Sequence, residues 1–281
     1  KIRNGVIEAA QTSIGNSTKF APENNLWGIG YLLPPRNPVA QSYTVFHPEV
    51  WNRYWKPFAE KYNLIPFFGY PGQYRVIHIG KAASEEFEGD RMTMPEDIEG
   101  LKIRRTFSRI PANIITEWGG NPVEVGWGDT AQGLKSGLVD GLETWLTNVA
   151  VFGMIPSIGQ TIMNNWGMGY EMAWANAEWL QGLDEQNRQV LAEETRRLTH
   201  DLQGQYDEAV NRNAGATSPP PEGSPYAENG VKVNELSDQD LAAWQDGVAF
   251  DQNPDLYSKT FTQSAPLLGG GDAGKQFAQF V

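Results

Sequence analysis

The residue best suited to bind a ligand is Arg104, because it follows a predicted strand over residues 101–103 and can reach a cleft from there. A guanidinium is a planar fork of N–H donors that matches a carboxylate, and the pair is strongest where water is excluded. Trp127 is predicted at the end of the next strand, and Glu143 closes a third. The pattern predicts a site for an organic anion. Each residue has an alternative that stays open: Arg104 pairs with a local carboxylate in place of a ligand, and Trp127 is a core residue.

The elements that must position these residues alternate between strand and helix along residues 95–143. Pro95 and the two carboxylates after it favour a helix start, and Gly119-Gly120 favours a helix end. The predicted elements are strands over 101–103, 123–127 and 138–139 and helices over 111–118 and 130–136. This segment therefore predicts a βαβ unit.

The same alternation continues on both sides, which predicts the α/β fold class. Strands are predicted over 5–13, 64–68, 74–79, 160–170, 172–176 and 231–234, and helices over 48–62, 144–152, 177–183, 184–213 and 237–248. Arg75 lies on the strand over 74–79. Residues 80–93 are predicted to form an exposed loop. The C-terminal residues, with Gly269-Gly270-Gly271, are predicted to form a flexible tail.

Composition excludes several function classes. The chain of 281 residues has a formal net charge of −12 and a pI near 4.8, which argues against nucleic acid and against an anionic membrane surface as partners. It has no cysteine, so disulfides, thiolate metal sites and cysteine nucleophiles are excluded. No run of about 18 apolar residues is present. The sequence begins at Lys1 without Met, and we expect that an N-terminal segment has been removed.

Catalytic and metal-binding motifs are missing from the sequence. The three histidines, His47, His78 and His200, have no partners at metal-ligand spacing, and His78 is interpreted as a packed residue. The HExxH, GxSxG, GxGxxG and P-loop patterns are absent. A non-enzymatic binding protein is therefore favoured. The rival is a carbohydrate-processing or lyase-type enzyme acting on an acidic sugar, which would need two facing carboxylates.

Residues 95–143 resemble a known family, the TRAP-transporter periplasmic solute-binding proteins of the DctP type. The motifs that carry the resemblance are Pro95-Glu96-Asp97, Gly100-Leu101-Lys102-Ile103-Arg104, Gly120-Asn121-Pro122, Trp127, Asp129, Leu134, Gly137, Val139-Asp140-Gly141 and Glu143. Residues 172–194 resemble the strand and helix start that follow in the family. The likeness extends over roughly residues 1–213.

The resemblance implies a two-lobed, periplasmic-binding-protein-like fold with a hinge and a long lobe-spanning helix. Lobe I would comprise residues 1–73 and 168–216, and lobe II residues 74–167 and 217–281. It implies a periplasmic monomer that holds a small organic acid between the lobes and delivers it to the membrane permease subunits. No cofactor and no metal are expected. The family's N-terminal strand, helix and strand are expected to be missing from this sequence.

The same resemblance implies roles for individual residues. Arg104 would pair with the ligand carboxylate, Trp127 would line the ligand, and Arg75 is a second cationic candidate. Glu143 would buttress an arginine or accept from a ligand hydroxyl. Thr144 stands where the family has asparagine, beside Trp145, which implies a bulkier pocket with fewer amide groups.

Two further positions follow from the resemblance. Trp166 lies where the chain passes from one lobe to the other, in a region that often lines the cleft. Together with Trp127 and Trp145 it favours an aromatic or bulky acid. Tyr170-Glu171 is weakly similar to a Trp-Glu pair that uses a cation to bridge a keto acid in one subgroup.

Overall fold

The computed structural model describes residues 1–33, 43–71, 74–167, 169–208 and 213–281. Within these ranges, nine strands form two sheets. The strands are β1 (Ala9–Ser13), β2 (Leu64–Pro71), β3 (Arg75–Gly80), β4 (Lys102–Arg105), β5 (Asn121–Glu124), β6 (Gly141–Trp145), β7 (Ile158–Gly167), β8 (Tyr170–Asn176) and β9 (Lys232–Asn234). The smaller sheet has the order β1-β8-β2, and the larger has the order β5-β4-β6-β3-β7-β9.

The larger sheet carries the predicted βαβ unit. β4 pairs in parallel with β5 on one side and with β6 on the other. Helix Arg109–Glu117 connects β4 to β5. β3 is antiparallel to both β6 and β7, and β9 joins the edge parallel to β7. The sheet is therefore mixed, and the α/β class predicted from the alternation is confirmed.

Helices of very different length surround the sheets. They are α1 (Ile14–Ser17), α2 (Pro48–Val50), α3 (Lys56–Tyr62), α4 (Lys81–Glu86), α5 (Arg109–Glu117), α6 (Trp127–Ser136), α7 (Leu146–Val151), α8 (Ala177–Gly182), α9 (Glu185–Glu208), α10 (Pro225–Glu228), α11 (Asp238–Gln245), α12 (Ser258–Leu268) and α13 (Ala273–Phe280). A π-helical segment, Trp51–Trp55, joins α2 to α3, so the helix predicted over 48–62 is present. Short 3-10 helices span Ile2–Asn4, Pro22–Gly28, Pro95–Ile98, Ile155–Ser157 and Pro254–Tyr257.

Two predictions of irregular structure are wrong. Residues 80–93 contain helix α4, and the C-terminal residues form α12 and α13. Between these two helices, Gly269, Gly270 and Gly271 all have positive φ, so they form a tight connection between helices and not a flexible tail. The buried Phe277 ring then packs 5.9 Å from the Trp27 ring, which the amphipathic spacing within residues 273–280 could have indicated.

The third strand of the βαβ unit begins later than predicted. Leu138 is exposed, and the side chain of Asp140 accepts a hydrogen bond from the Lys102 amide at 2.8 Å, so this stretch is a connection. The strand itself is β6, and its five residues are all buried. Glu143 therefore lies in the middle of a strand. Thr144 lies in the strand as well, and not at the start of a helix.

The largest concentration of buried aromatic rings packs beside the smaller sheet. Trp27 stacks on Trp55 at 5.5 Å, and the ring of Trp55 meets the edge of Trp174 of β8 at 5.9 Å. The long helix α9 contacts β2, but its side chains Val190 and Leu198 are exposed. Among the described helices, none combines the length and the apolar character that a membrane span requires.

Candidate functional site

A cavity of about 380 Å³ lies between the two sheets. One wall comes from β1, β8 and the start of α1, and the other from β3, β4, β6, α6 and α7. The cavity is lined by Gln11, Thr12, Ser13, Asn16, Arg75, Arg104, Thr106, Trp127, Thr144, Trp145, Thr147, Asn148, Val151, Phe152 and Glu171. A ligand in this cavity would touch both sheets at once.

Arg104 lines the cavity as a buried cation. It is only 2% exposed, and its Nε donates to the carbonyl oxygen of Val125 at 3.0 Å. Across the part of the chain that the structure describes, no carboxylate lies within 4.0 Å of its guanidinium, and no acceptor is found for Nη1 or Nη2. Burial lowers the pKa of Arg104 to about 10, although the nearby charge of Glu143 opposes that shift. The guanidinium remains protonated at neutral pH and can still accept an anionic partner.

Arg75 lies two strands away in the same sheet and has a partner. Its Nε donates to Oε2 of Glu143 at 2.5 Å, and its Nη2 forms an ion pair with the same carboxylate. The carboxylate of Glu143, which is 0% exposed, also accepts the backbone N–H of Thr106 at 3.0 Å. Glu143 does not line the cavity; it holds Arg75 from behind and fixes the chain just after β4.

Trp127 is the first residue of α6, and not the last residue of a strand, as the sequence predicted. The strand ends at Glu124, and Gly126 occupies the N-cap position, so the indole lies beside Arg104 at the start of a helix. The Arg104 guanidinium carbon lies 5.2 Å from the Trp127 ring centroid, within cation–π range. The ring of Phe152 meets the same indole edge-on at 5.1 Å.

The remaining predicted residues divide between the cavity and its surroundings. Thr144 and Trp145 line it, and the Thr144 hydroxyl accepts from Nδ2 of Asn148 at 3.0 Å. Trp166 lies outside the large cavity, where its ring packs 5.8 Å from the Arg75 guanidinium carbon. The structure thus brings together Arg75, Arg104, Trp127, Thr144 and Trp145. It places Glu143 and Trp166 behind them.

Sequence reasoning missed most of the opposite wall. Gln11, Thr12 and Ser13 come from β1, and Glu171, which the sequence analysis named only in the weak Tyr170-Glu171 similarity, comes from β8. The Ser13 hydroxyl accepts from the amide of Asn16, and this helix cap was a readable signal for the end of β1. Burial raises the pKa of Glu171 to about 7, while Gln11 and Arg75 oppose the rise.

The histidine and metal predictions can be compared with this geometry. His78 is fully buried in β3, where Nδ1 lies 2.9 Å from the Thr161 hydroxyl and burial lowers its pKa to about 3. It does not line the cavity. No group of three or more metal-ligating side chains is found among the residues that the structure describes.

Comparisons with known proteins agree on one family for this chain. The family described as bacterial extracellular solute-binding protein, family 7 (DctP), matches residues 1–252. The ectoine-binding periplasmic protein TeaA of Halomonas elongata is 23% identical over 247 residues, which cover 87% of this chain and 67% of that protein. The chain spans about two thirds of the length of the curated relatives it matches.

Solved structures share the fold. A TRAP periplasmic solute-binding protein from Desulfovibrio salexigens with bound orotic acid superimposes with a TM-score of 0.77 at 15% identity, covering 100% of this chain and 83% of that one. A second such protein, from Chromohalobacter salexigens with bound D-glucuronate, gives a TM-score of 0.74 at 22% identity, covering 92% and 80%. The two-lobed architecture expected from the sequence is confirmed.

Proposed function

Because this chain belongs to the DctP family of bacterial extracellular solute-binding proteins, we propose that it captures a small organic acid in the cavity between its sheets. The ligand carboxylate would pair with Arg104. Relatives of the same fold hold glucuronate and orotic acid, and a curated relative binds ectoine. All three ligands carry a carboxylate, which is the group that an unpaired guanidinium recognises.

One observation carries this proposal: Arg104 is buried and lines the cavity, but no carboxylate within the described ranges pairs with it. A buried charge without a partner is unfavourable, since desolvation is not repaid by attraction. A ligand carboxylate would supply the missing partner at a place where water is largely excluded. Binding would therefore gain more from this one contact than from an equivalent pair on the surface.

The rest of the cavity suits a compact, partly ring-like acid. A volume of about 380 Å³ falls in the range of small-molecule sites. Trp127 and Phe152 provide an apolar wall, while Thr144 and Asn148 provide hydroxyl and amide groups for orientation. Arg75 contributes positive potential, but Glu143 offsets much of its charge. We propose Arg75, Thr144, Trp145 and Trp127 as ligand contacts, with Glu143 and Trp166 in supporting positions.

We propose that binding closes two lobes. The strands of the smaller sheet fall within residues 1–73 and 168–216, and those of the larger sheet fall within 74–167 and 217–281. These are the lobe boundaries that the resemblance implies. Helix α13 is an exception to these boundaries: its sequence falls within 217–281, but it contacts Trp27 through Phe277, so we propose that the C-terminal helices belong to the first lobe. The cavity, lined from both sheets, would be the space that closes.

The family is one of solute-binding proteins, and we propose that this chain works in the periplasm as a monomer that delivers its ligand to TRAP permease subunits without transforming it. The enzyme alternative needs two facing carboxylates. Glu171 is the one carboxylate found along the cavity within the described residues, because Glu143 lies behind Arg75. This distribution supports binding over hydrolysis or elimination.

A thermal-shift screen of organic acids, including D-glucuronate and orotate, tests the proposal. We expect at least one acid to raise the Tm of the unaltered protein. In Arg104→Ala this rise should disappear, since loss of one partner from a buried charge pair costs about 2–5 kcal/mol. Arg104→Lys keeps the charge but loses the fork, and should give an intermediate shift.

Arg105→Ala is the matched control. Arg105 is the next residue on β4, but it pairs with Glu124 at 2.9 Å and does not line the cavity. This variant should bind as the unaltered protein does. Near-normal affinity in Arg104→Ala would remove Arg104 from its proposed role, and the absence of any responding acid would contradict the proposed ligand class.

A further inference from the structure

A second and much smaller cavity, of about 20 Å³, adjoins the large one. Ser13, Arg75, Thr106 and Trp145 line both spaces, so the two lie side by side. The far wall of the small cavity includes Trp166 and Tyr170, where the chain passes from the larger sheet to the smaller. The volume is enough for one water-sized group. We call this space the indole subsite, after Trp145 and Trp166.

Four side chains that line the indole subsite carry a buried polar group without a partner. Nε1 of Trp27, Trp145 and Trp166 and the hydroxyl of Tyr170 make no hydrogen bond to any residue that the structure describes. The four side chains are 1%, 2%, 2% and 0% exposed. Buried polar groups in folded proteins are almost always hydrogen-bonded, so four unpaired groups on the lining of one small space indicate a missing partner.

The chemistry of these groups specifies that partner. An indole N–H is a donor only, and a phenol hydroxyl donates as well as accepts. The Arg75 guanidinium carbon, 5.8 Å from the Trp166 ring centroid, adds positive potential. The Ser108 hydroxyl, on the same wall, already donates to Oδ1 of Asn25 at 2.8 Å. The wall therefore offers donors and calls for an acceptor about the size of one oxygen atom.

We propose that the indole subsite receives a second oxygen acceptor of the ligand, so that the preferred ligand is an acid with a carbonyl, hydroxyl or second carboxylate oxygen in addition to the carboxylate on Arg104. This inference rests on the proposed function and narrows its ligand class. The Arg104 contact recognises any acid, whereas the indole subsite selects among acids by the oxygen that they carry elsewhere.

The test compares acids that differ by one oxygen function. Linear acids of four to six carbons are measured as monocarboxylates, oxo acids and dicarboxylates, by calorimetry on the full chain and on Tyr170→Phe. We expect the unaltered protein to bind its best oxygenated acid about tenfold more tightly than the matching monocarboxylate. In Tyr170→Phe this preference should fall several-fold, while monocarboxylate affinity stays the same.

Tyr226→Phe is the matched control, because the Tyr226 hydroxyl is also buried without a partner among the described residues but lines neither cavity. It should leave the preference unchanged. A second readout uses the otherwise unaltered protein labelled with ¹⁵N-tryptophan. The indole N–H signal of Trp166, which lines only the small cavity, is assigned with Trp166→Phe. It should shift with an oxygenated acid and stay in place with the monocarboxylate.

Different results would contradict the indole subsite and the proposed function. Equal affinity for paired acids, with Arg104 still required, overturns the role of the indole subsite and leaves the proposed function standing; the indole subsite then holds an ordered water only. An equal loss for both members of a pair in Tyr170→Phe also overturns it, because that loss reports general packing. If the unaltered protein binds none of the acids, the proposed function falls and the subsite falls with it.

Discussion

The two arginines of the cavity differ in how their charge is balanced. Arg75 on β3 is held by Glu143, whereas Arg104 on β4 has no carboxylate within 4.0 Å among the residues described. Both side chains are buried and both line the same space. The region around Arg75 is therefore complete without a ligand, and the region around Arg104 is not. The same residue type contributes to stability in one place and to recognition in the other.

The difference follows from the strand order. β6 lies between β4 and β3, and its residue Glu143 supplies one carboxylate for two guanidinium groups. That carboxylate contacts Arg75 directly and also accepts the Thr106 amide. Its charge still acts on Arg104 and raises the pKa of that group, but burial outweighs it. Among Arg75, Arg104 and Glu143, one positive charge is left over, and this excess is what an anionic ligand can neutralise.

Glu143→Gln should have the largest effect, which is on the free energy of unfolding. The substitution leaves the buried Arg75 charge without its partner, and such a break typically costs about 3–5 kcal/mol of the free energy of unfolding. Urea denaturation of the ligand-free protein measures it. Glu124→Gln removes the partner of Arg105 at a more exposed place and should cost less than about 1 kcal/mol. Equal losses in the two variants would show that Glu143 does not hold a buried charge.

Trp127→Leu tests how much the indole beside Arg104 contributes to ligand binding. The indole face supports the Arg104 cation at 5.2 Å, and its loss is expected to cost about 0.5–2 kcal/mol of ligand binding, or roughly twofold to thirtyfold in Kd. Calorimetry with the best acid from the screen measures the change. Trp51→Leu, a partly buried tryptophan away from the cavity, should leave Kd unchanged. A Trp127→Leu protein with unaltered Kd would remove the indole from recognition.

Glu171 should give the smallest effect, through pH. Its pKa is raised to about 7, so it gains a proton as the pH falls from about 8 to 6, and the cavity loses a negative charge near Arg75 and Gln11. A ligand carboxylate remains ionised across this range. Affinity for the acid should therefore rise about twofold to fivefold on acidification. In Glu171→Gln the affinity should not change with pH over this range. An unchanged pH dependence of the affinity in this variant would show that another group causes it.

The raised pKa of Glu171 also predicts how the free energy of unfolding changes with pH. The folded protein holds the Glu171 proton up to about pH 7, whereas an ordinary glutamate loses it near pH 4.5. Between these values the native state binds more protons than the unfolded chain, so the contribution of Glu171 to the free energy of unfolding falls as the pH rises. Comparing unaltered protein with Glu171→Gln over this interval isolates that contribution.

Much of the cavity wall on the larger sheet could be predicted from the sequence. The order of strand and helix in residues 95–143 placed Arg104 just after a strand, and the structure has it within β4, one residue before its end. The third strand was missed by only a few residues. Gly141 explains part of that error: a Cβ there would lie 2.5 Å from the carbonyl oxygen of His78, so a residue read as turn-forming is a position of close strand approach.

The smaller sheet's contribution could not be predicted in the same way. Gln11 and Glu171 lie far apart in sequence, on neighbouring strands that bring them within 3.5 Å. Each alone resembles an ordinary exposed polar residue of an edge or loop. The place where the last helix packs could not be predicted for a related reason, since Phe277 contacts Trp27 and Tyr54, which lie more than 200 positions earlier in the chain. Such pairings depend on tertiary contacts that local patterns do not contain.

The strand pairings also have a mechanical consequence. β2 pairs with β8 in one sheet, and the strands that adjoin them in sequence, β3 and β7, pair in the other. Pro71 lies opposite Tyr170 and Arg75 opposite Gly167, so the ends of the two connections between the sheets lie next to each other. Rotation of one sheet against the other would then have its axis at these two connections. In such a rotation the Trp166 indole, on β7, would move little, whereas Arg104, on β4 and two strands away from β3, would move farther.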